Sequence, residues 1–395
     1  MSEVGRVGDI PRTDPDATGF GPGGDAELVQ LLTPDGVRRE HPDYAFTGTD
    51  ADVRGYYRDM VLSRRVDAEA TALQRQGELG VWASSLGQEA AQVGSAHAMS
   101  PQDFVFPTYR EHAVAWVRGV PPLRLLAMFR GIDHGAWDLE ATRFAPYAII
   151  IGAQTLHATG YAMGIERDGL VGTGDPARDT AVVAYFGDGA TSQGDVNESF
   201  IFAGSYQAPV VFFCQNNQWA ISEPIERQSR IPLYRRASGF GFPGVRVDGN
   251  DVLAVQAVTK VALERARSGN GPTLIEAYTY RMGAHTTSDD PSKYRLADEL
   301  EHWRLKDPIA RVRTHLEAGA LADEAFFAAV DEEAGSMAAD LRAACLTLPE
   351  PTLAETFDWV YAEQTPYLRA QQAAHTEYLA TFEAEPAAPA TGGAW

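Results

Sequence analysis

Gly187-Asp188-Gly189 is followed, one strand and one helix further along, by Asn216-Asn217. A carboxylate and an amide oxygen are hard donors suited to Mg²⁺, which keeps phosphate oxygens and water in the rest of its octahedron. Glycines beside Asp188 let backbone come close to a ligand. A helical stretch starts just after them, so the pattern suits a Mg²⁺-bound diphosphate at a helix N-terminus. Alone, Gly-Asp-Gly marks a tight turn as readily as a site. The second strand and the Asn pair shift the balance toward a site.

Those residues need elements to hold them. Ala181 to Phe186 is a continuous apolar run ending in glycine. Such runs read as strands buried on both faces of a parallel sheet. Residues 190–207 have helical length, and Pro209 opens a second apolar run, Val210 to Cys214, that ends at the Asn pair. This is a β-α-β unit with polar residues at the carboxyl ends of both strands, where open α/β sheets bind ligands.

Three further places carry chemistry. Tyr109-Arg110 offers a planar guanidinium fork suited to phosphate oxygens; the plainer alternative is a surface arginine paired with Glu111. Residues 149–154, IIIGAQ, read alone as a buried strand. Among nine histidines, His285 stands apart because it lies in the segment RMGAHTTSDDPSKYR, residues 281–295, which has turn residues and little periodicity. An imidazole titrates near neutrality and suits proton transfer. His134, in MFRGIDHGAW, is a second candidate, and His112 reads as structural.

Composition sets the outer limits. With 395 residues the chain can bury a large core. Net charge is −21, which argues against a general affinity for nucleic acid or an anionic membrane. Two cysteines, Cys214 and Cys345, give no disulfide framework. No apolar stretch reaches the ~18 residues of a membrane helix. The first residues lack the apolar core of a secretory signal, so a cytoplasmic location is the expectation.

Along the chain, residues 1–50 are rich in Gly, Pro and Asp and read as an extended arm with one apolar patch, Leu28 to Leu32. Residues 51–78 have helical spacing, Leu79 to Trp82 reads as a short strand, and a helix is expected from about Gln88. The segments 307–345 and 352–383 read as helical. Residues 51–383 are expected to form one α/β domain, and 384–395 a disordered tail.

Five ordered segments, SSLGQEA (84–90), FPTYREH (106–112), IIIGAQTLHATGYAMG (149–164), the Gly-Asp-Gly to Asn-Asn unit and RMGAHTTSDDPSKYR (281–295), span roughly residues 50–370. Together they resemble the α subunit of the thiamine-diphosphate-dependent 2-oxo acid dehydrogenase decarboxylase component. The resemblance implies a thiamine-diphosphate-binding α/β fold, a parallel sheet flanked by helices on both faces. It also implies thiamine diphosphate and Mg²⁺ as cofactors.

Residue by residue, the resemblance implies that Tyr109 and Arg110 contact the diphosphate, as do Gly187 and the backbone N–H groups of Gly189 and Ala190. Backbone at Ile149 and Ile151 would meet the aminopyrimidine ring. Asp188 and Asn217 would bind the metal through side-chain oxygens, and residue 219 through its carbonyl; this chain has Trp219 where the family usually has Tyr. His285 would face the reacting carbon and help pass the acyl group to a lipoyl arm, and His134 matches a His of pyruvate-type members. The Glu that activates the cofactor belongs to a separate β subunit, so an α₂β₂ heterotetramer is implied, working with a lipoyl acyltransferase. IIIGAQ and GIDHG resemble pyruvate-type members, whereas Thr-Ser-Asp-Asp at 287–290 resembles branched-chain ones. Pyruvate is favoured, with a branched-chain 2-oxo acid as the alternative. A non-catalytic assembly subunit is the reading from another class, and the presence of Arg110, Asp188, Asn217 and His285 argues against it.

Overall fold

The computed structural model describes residues 28–383 except 136 and 359. Most of the expected arm and the whole expected tail lie outside the described residues. The chain divides into two units, one up to Leu346 and one from Thr347, so the division falls well before residue 383. Within the second unit the described helices are Leu353–Asp358 and Pro366–Glu383.

The first unit is built on a six-stranded sheet. Its strands are β1 (Leu28–Val29), β2 (Phe104–Phe106), β3 (Val182–Gly187), β4 (Val210–Asn216), β7 (Gly244–Asp248) and β8 (Thr273–Tyr278); β5 (Trp219–Ala220) and β6 (Glu223–Pro224) form a separate hairpin. The spatial order is β1-β7-β8-β4-β3-β2, and every pairing in the large sheet is parallel.

Alternation along β3 and β4 explains why both strands are apolar throughout. Val183, Tyr185, Val211 and Phe213 face a core shared with helices Asp50–Arg75, Glu89–His97 and Val252–Arg267. Val182, Ala184, Phe186, Val210, Phe212 and Cys214 face a second core under helices Ala153–Arg167 and Gly194–Tyr206. A strand covered on both faces has no polar side. Each buried Val or Phe contributes about 1.5–3 kcal/mol. Helices on both faces of a parallel sheet are the architecture expected from the sequence.

Three local expectations are corrected. The patch at Leu28–Leu32 does not lie in an arm. Leu28 and Val29 pair with Arg246 and Val247 at the sheet edge. The next residues are fastened by Asp251, whose Oδ2 accepts from Leu31 N at 2.6 Å and Leu32 N at 2.5 Å, while its Oδ1 caps helix Val252–Arg267. Leu79–Trp82 is a bend running into irregular chain rather than a strand; Trp82 is fully buried and stacks on His112 at 4.2 Å. Residues 149–151 are neither strand nor buried: Ile149, Ile150 and Ile151 are 63%, 76% and 39% exposed. Apolar composition there reflects something other than this chain's own core. Among the described residues, no helix is long and apolar enough to cross a membrane.

Candidate active site

β3 and β4 are adjacent and in register, Gly187 opposite Gln215, so Asp188 and Asn217 emerge side by side at their carboxyl ends. Asp188–Ser192 forms a 3₁₀ turn, and the α-helix starts only at Gly194. The amides of Gly189 and Ala190 therefore belong to the turn, and the helix start is set back from the expected position. A Cβ on Gly187 would meet no atom within 4 Å, whereas one on Gly189 would lie 2.7 Å from Ala220 Cβ. The first glycine keeps space open, and the second is required by packing against β5.

Asp188 is 1% exposed. Burial pushes its carboxyl up to about 6, against the pull of Gln228, whose Nε2 donates to Oδ2 at 3.0 Å. Asn217 Oδ1 accepts from Trp219 N at 3.3 Å, and its Nδ2 donates to Gln88 Oε1 at 3.1 Å. The Trp219 carbonyl already accepts from Arg281 Nη1 at 2.8 Å.

The opposite wall is cationic. Arg110 is 6% exposed and pairs with no carboxylate of Glu111; its Nη1 donates to the Ser84 carbonyl, and its Nη2 reaches the His285 carbonyl at 2.9 Å and His285 Nδ1 at 3.3 Å. Arg281, fully buried, donates to the Ile221 carbonyl at 2.7 Å and approaches His285 Nδ1 at 3.4 Å. His285 N donates to Asp289 Oδ2 at 2.9 Å, and Tyr294 Oη donates to the same oxygen. Burial, then Arg110 and Arg281, hold the His285 imidazole down at about 3. It is neutral at pH 7. Two arginine donors face Nδ1, so Nδ1 accepts and the proton sits on Nε2.

These residues share a cavity of about 270 Å³. Tyr109, Arg110, Ile151, Gly187, Asp188, Gly189, Ala190, Asn217, Trp219 and His285 all line it. Ile149 and His134 do not; His134 is exposed, between helices Pro122–Arg130 and Leu139–Thr142. His112 is structural: its Nε2 donates to the Ala83 carbonyl at 2.8 Å and its Nδ1 meets Tyr147 Oη at 2.9 Å.

Sequence reasoning missed Gln88, Gln154 and Arg281 as lining residues. All three lie inside the quoted segments, yet nothing in their residue types singles them out. All three carry a buried polar atom with no hydrogen-bond partner in the protein, Gln88 Nε2, Gln154 Oε1 and Arg281 Nε. A buried amide without a partner costs about 1–3 kcal/mol. The cavity thus presents a spare donor, a spare acceptor, a buried acid and two arginines, a set that fits a polar, metal-bearing anion.

A parallel sheet with such a cavity at its strand ends defines an α/β protein of the cofactor-binding kind. The family follows from comparison with known proteins. Residues 57–345 match the family described as the dehydrogenase E1 component. The chain is 46% identical over 353 residues to the 3-methyl-2-oxobutanoate dehydrogenase subunit alpha of Mycobacterium tuberculosis (strain ATCC 25618 / H37Rv), covering 88% of this chain and 93% of that protein. It is 41% identical over 328 residues to the pyruvate dehydrogenase E1 component subunit alpha of Acholeplasma laidlawii, covering 82% and 92%. With the subunit of the same name from Bacillus subtilis (strain 168) it shares 40% identity over 288 residues, covering 72% and 76%. This chain belongs to the dehydrogenase E1 component family, and that family implies thiamine diphosphate.

Proposed function

We propose that this chain is the α subunit of a 2-oxo acid dehydrogenase that decarboxylates its substrate with thiamine diphosphate and Mg²⁺ and acylates lipoyl groups of an acyltransferase partner. One observation carries the reading: in a chain of this family, Arg110, Asp188, Asn217 and His285 converge on one cavity. Bound thiamine diphosphate supplies the electron sink for loss of CO₂.

The chain's own residues then have distinct tasks. Asp188 Oδ1, Asn217 Oδ1 and the Trp219 carbonyl hold Mg²⁺, while Arg110, with Tyr109 beside it, takes the diphosphate. Gly187 leaves room for it, and the amides of Gly189 and Ala190 donate to it. Backbone of 149–151 flanks the aminopyrimidine. His285 donates from Nε2–H to the developing oxyanion of the substrate. Once the diphosphate offsets the charge of Arg110, the imidazole becomes easier to protonate, and His285 can exchange a proton during acyl transfer.

The activating Glu comes from a β subunit in an α₂β₂ assembly. The exposed Ile149–Ile151 beside the cavity support a second chain there. As substrate, a branched-chain 2-oxo acid leads, on the 46% identity with the subunit named for 3-methyl-2-oxobutanoate. Pyruvate stays second on IIIGAQ; the support from GIDHG weakens because His134 lies outside the cavity.

The test is reconstitution with the β subunit and assay of decarboxylation with an artificial electron acceptor. Activity is expected only with both chains, Mg²⁺ and thiamine diphosphate, with 3-methyl-2-oxobutanoate preferred. No decarboxylation of any 2-oxo acid by the assembled complex, or full activity of the α chain alone, overturns the reading.

A further inference from the structure

Gln88 is 0% exposed, and its side chain has one end tied and one end free. Its backbone is locked. Gln88 N donates to the Ser85 carbonyl at 2.9 Å, and its carbonyl accepts from Gln92 N at 3.2 Å at the start of helix Glu89–His97. The preceding Gly87 has φ +92°, and a Cβ there would sit 2.5 Å from the Tyr280 carbonyl. That contact presses the 84–88 turn against the segment leaving β8. The same segment holds the end of β4: Thr279 N donates to the Asn216 carbonyl at 2.9 Å and Arg281 N to the Asn217 carbonyl at 3.2 Å. Gln88 and Asn217 therefore meet across 129 residues of sequence in a fixed frame.

The orientation of both amides follows from hydrogen bonding. Trp219 N is a donor and points at one terminal atom of Asn217, which must be Oδ1. The other atom, Nδ2, faces Gln88 and needs an acceptor, so Gln88 turns Oε1 toward it. Gln88 Nε2 is then left at the cavity wall, buried and without a partner. A flipped Gln88 would set N–H against N–H, so the free donor cannot be relieved by rotation.

We propose that Gln88 has two roles at this site: Oε1 positions Asn217 so that its oxygen faces the metal, and Nε2–H donates to an oxygen of the bound diphosphate. The inference rests on the thiamine diphosphate reading above. An outer hydrogen bond that orients a metal ligand is commonly worth 10–100-fold in metal affinity. A buried donor that gains an anionic acceptor forms a charge-assisted bond, stronger than a neutral one.

The experiment separates the two roles by binding rather than turnover. In the assembled αβ complex, titrations with Mn²⁺ alone, followed by electron paramagnetic resonance, report the metal. Calorimetric titrations with thiamine diphosphate at saturating Mg²⁺ report the diphosphate. Gln88→Glu keeps an acceptor for Asn217 and loses the donor, so Mn²⁺ affinity is expected within about threefold of wild type and diphosphate affinity lowered by at least about tenfold. Gln88→Leu removes both groups, and both affinities are expected to fall by about 10-fold or more. Cofactor affinity unchanged within about twofold in both variants, judged against that range, overturns the proposal. So does a crystal structure of the wild-type complex with Mg²⁺ and thiamine diphosphate in which Nε2 bonds only water or protein. That measurement stands even where a variant fails to assemble. A wild-type complex that binds no thiamine diphosphate defeats the function reading; wild-type binding with unaffected variants defeats only the role of Gln88.

Discussion

The two walls of the cavity carry opposite electrostatic costs. On the β3–β4 side, Asp188 is a buried carboxylate that accepts from the Gln228 amide, and burial raises it to about 6. On the 281–295 side, two buried arginines flank a half-buried imidazole, and desolvation followed by their charge holds it at about 3. The first wall carries an acid that burial disfavours as an anion, and the second carries two arginines whose combined charge exceeds that of the Asp289 carboxylate beside His285. A Mg²⁺–diphosphate ion pair supplies a cation to the first and an anion to the second, so charge that destabilises the empty protein becomes binding energy for the cofactor. The walls also differ in construction. Asp188 and Asn217 are fixed by adjacent strand ends, whereas Arg110 and Arg281 are fixed by the backbone carbonyls of Ser84, His285, Trp219 and Ile221, and the His285 backbone by the Asp289 carboxylate.

The comparison breaks most sharply at His285. With its proton on Nε2, the imidazole is a donor at the reaction centre, while Arg110 and Asp188 bear on cofactor binding. His285→Ala is expected to lower acylation of a lipoyl domain by ~10²–10⁴-fold, the usual contribution of a positioned acid–base group, with thiamine diphosphate affinity changed less than about tenfold. Parallel assays of lipoyl acylation and of decarboxylation with an artificial acceptor check this. Equal mild losses in both would reduce His285 to a spacer between the arginines.

A smaller effect is expected from the opposite wall. Asp188→Asn removes the only anionic ligand proposed for the metal and should weaken thiamine diphosphate binding by about 10²-fold in Mg²⁺, measured by calorimetry on the αβ complex. Retained affinity, or binding that survives a chelator, would mean that the arginine wall alone holds the cofactor.

The two walls were also unequally legible in the sequence. The β3–β4 side was readable because its signals are local: an apolar run, a glycine, a helix length and a second run. The elements Val182–Gly187, Gly194–Tyr206 and Val210–Asn216 fall within a few residues of the spans read from periodicity. The loop side was readable only through family resemblance, since no spacing rule brings Arg110 to His285, 175 residues away. Gln88 and Arg281 were invisible as site residues for the same reason: their roles come from what they touch. Ile149–Ile151 misled because an apolar run signals burial but not which chain does the burying. The β1 residues misled because two residues give periodicity nothing to work on, and their place is set by Asp251 instead.

The smallest expected effect is on stability without cofactor, and it tests the charge comparison directly. Asp188 titrates at 3.8 in an unfolded chain and at about 6 when buried. Between those values the folded state holds the extra proton, so this residue adds stability as pH falls toward 3.8 and costs stability at pH 7. Each unit of difference is worth 1.36 kcal/mol, which puts the cost at about 1–3 kcal/mol. His285 has the opposite slope: its ordinary value is 6.5 and its folded one about 3, so the unfolded chain takes the proton first and stability falls as pH drops below 6.5. In the intact protein the two slopes oppose each other between about pH 4 and 6. Asp188→Asn removes one of them. The cofactor-free variant should therefore be more stable than wild type by about 1–3 kcal/mol at pH 7.5, with the advantage shrinking as pH falls and vanishing below about pH 3, where the wild-type carboxyl is protonated in both states. Urea unfolding at a series of pH values measures it. A variant less stable than wild type at pH 7.5 would mean that Asp188 already has its counter-charge in the empty protein, and that the β3–β4 wall is not waiting for a cation.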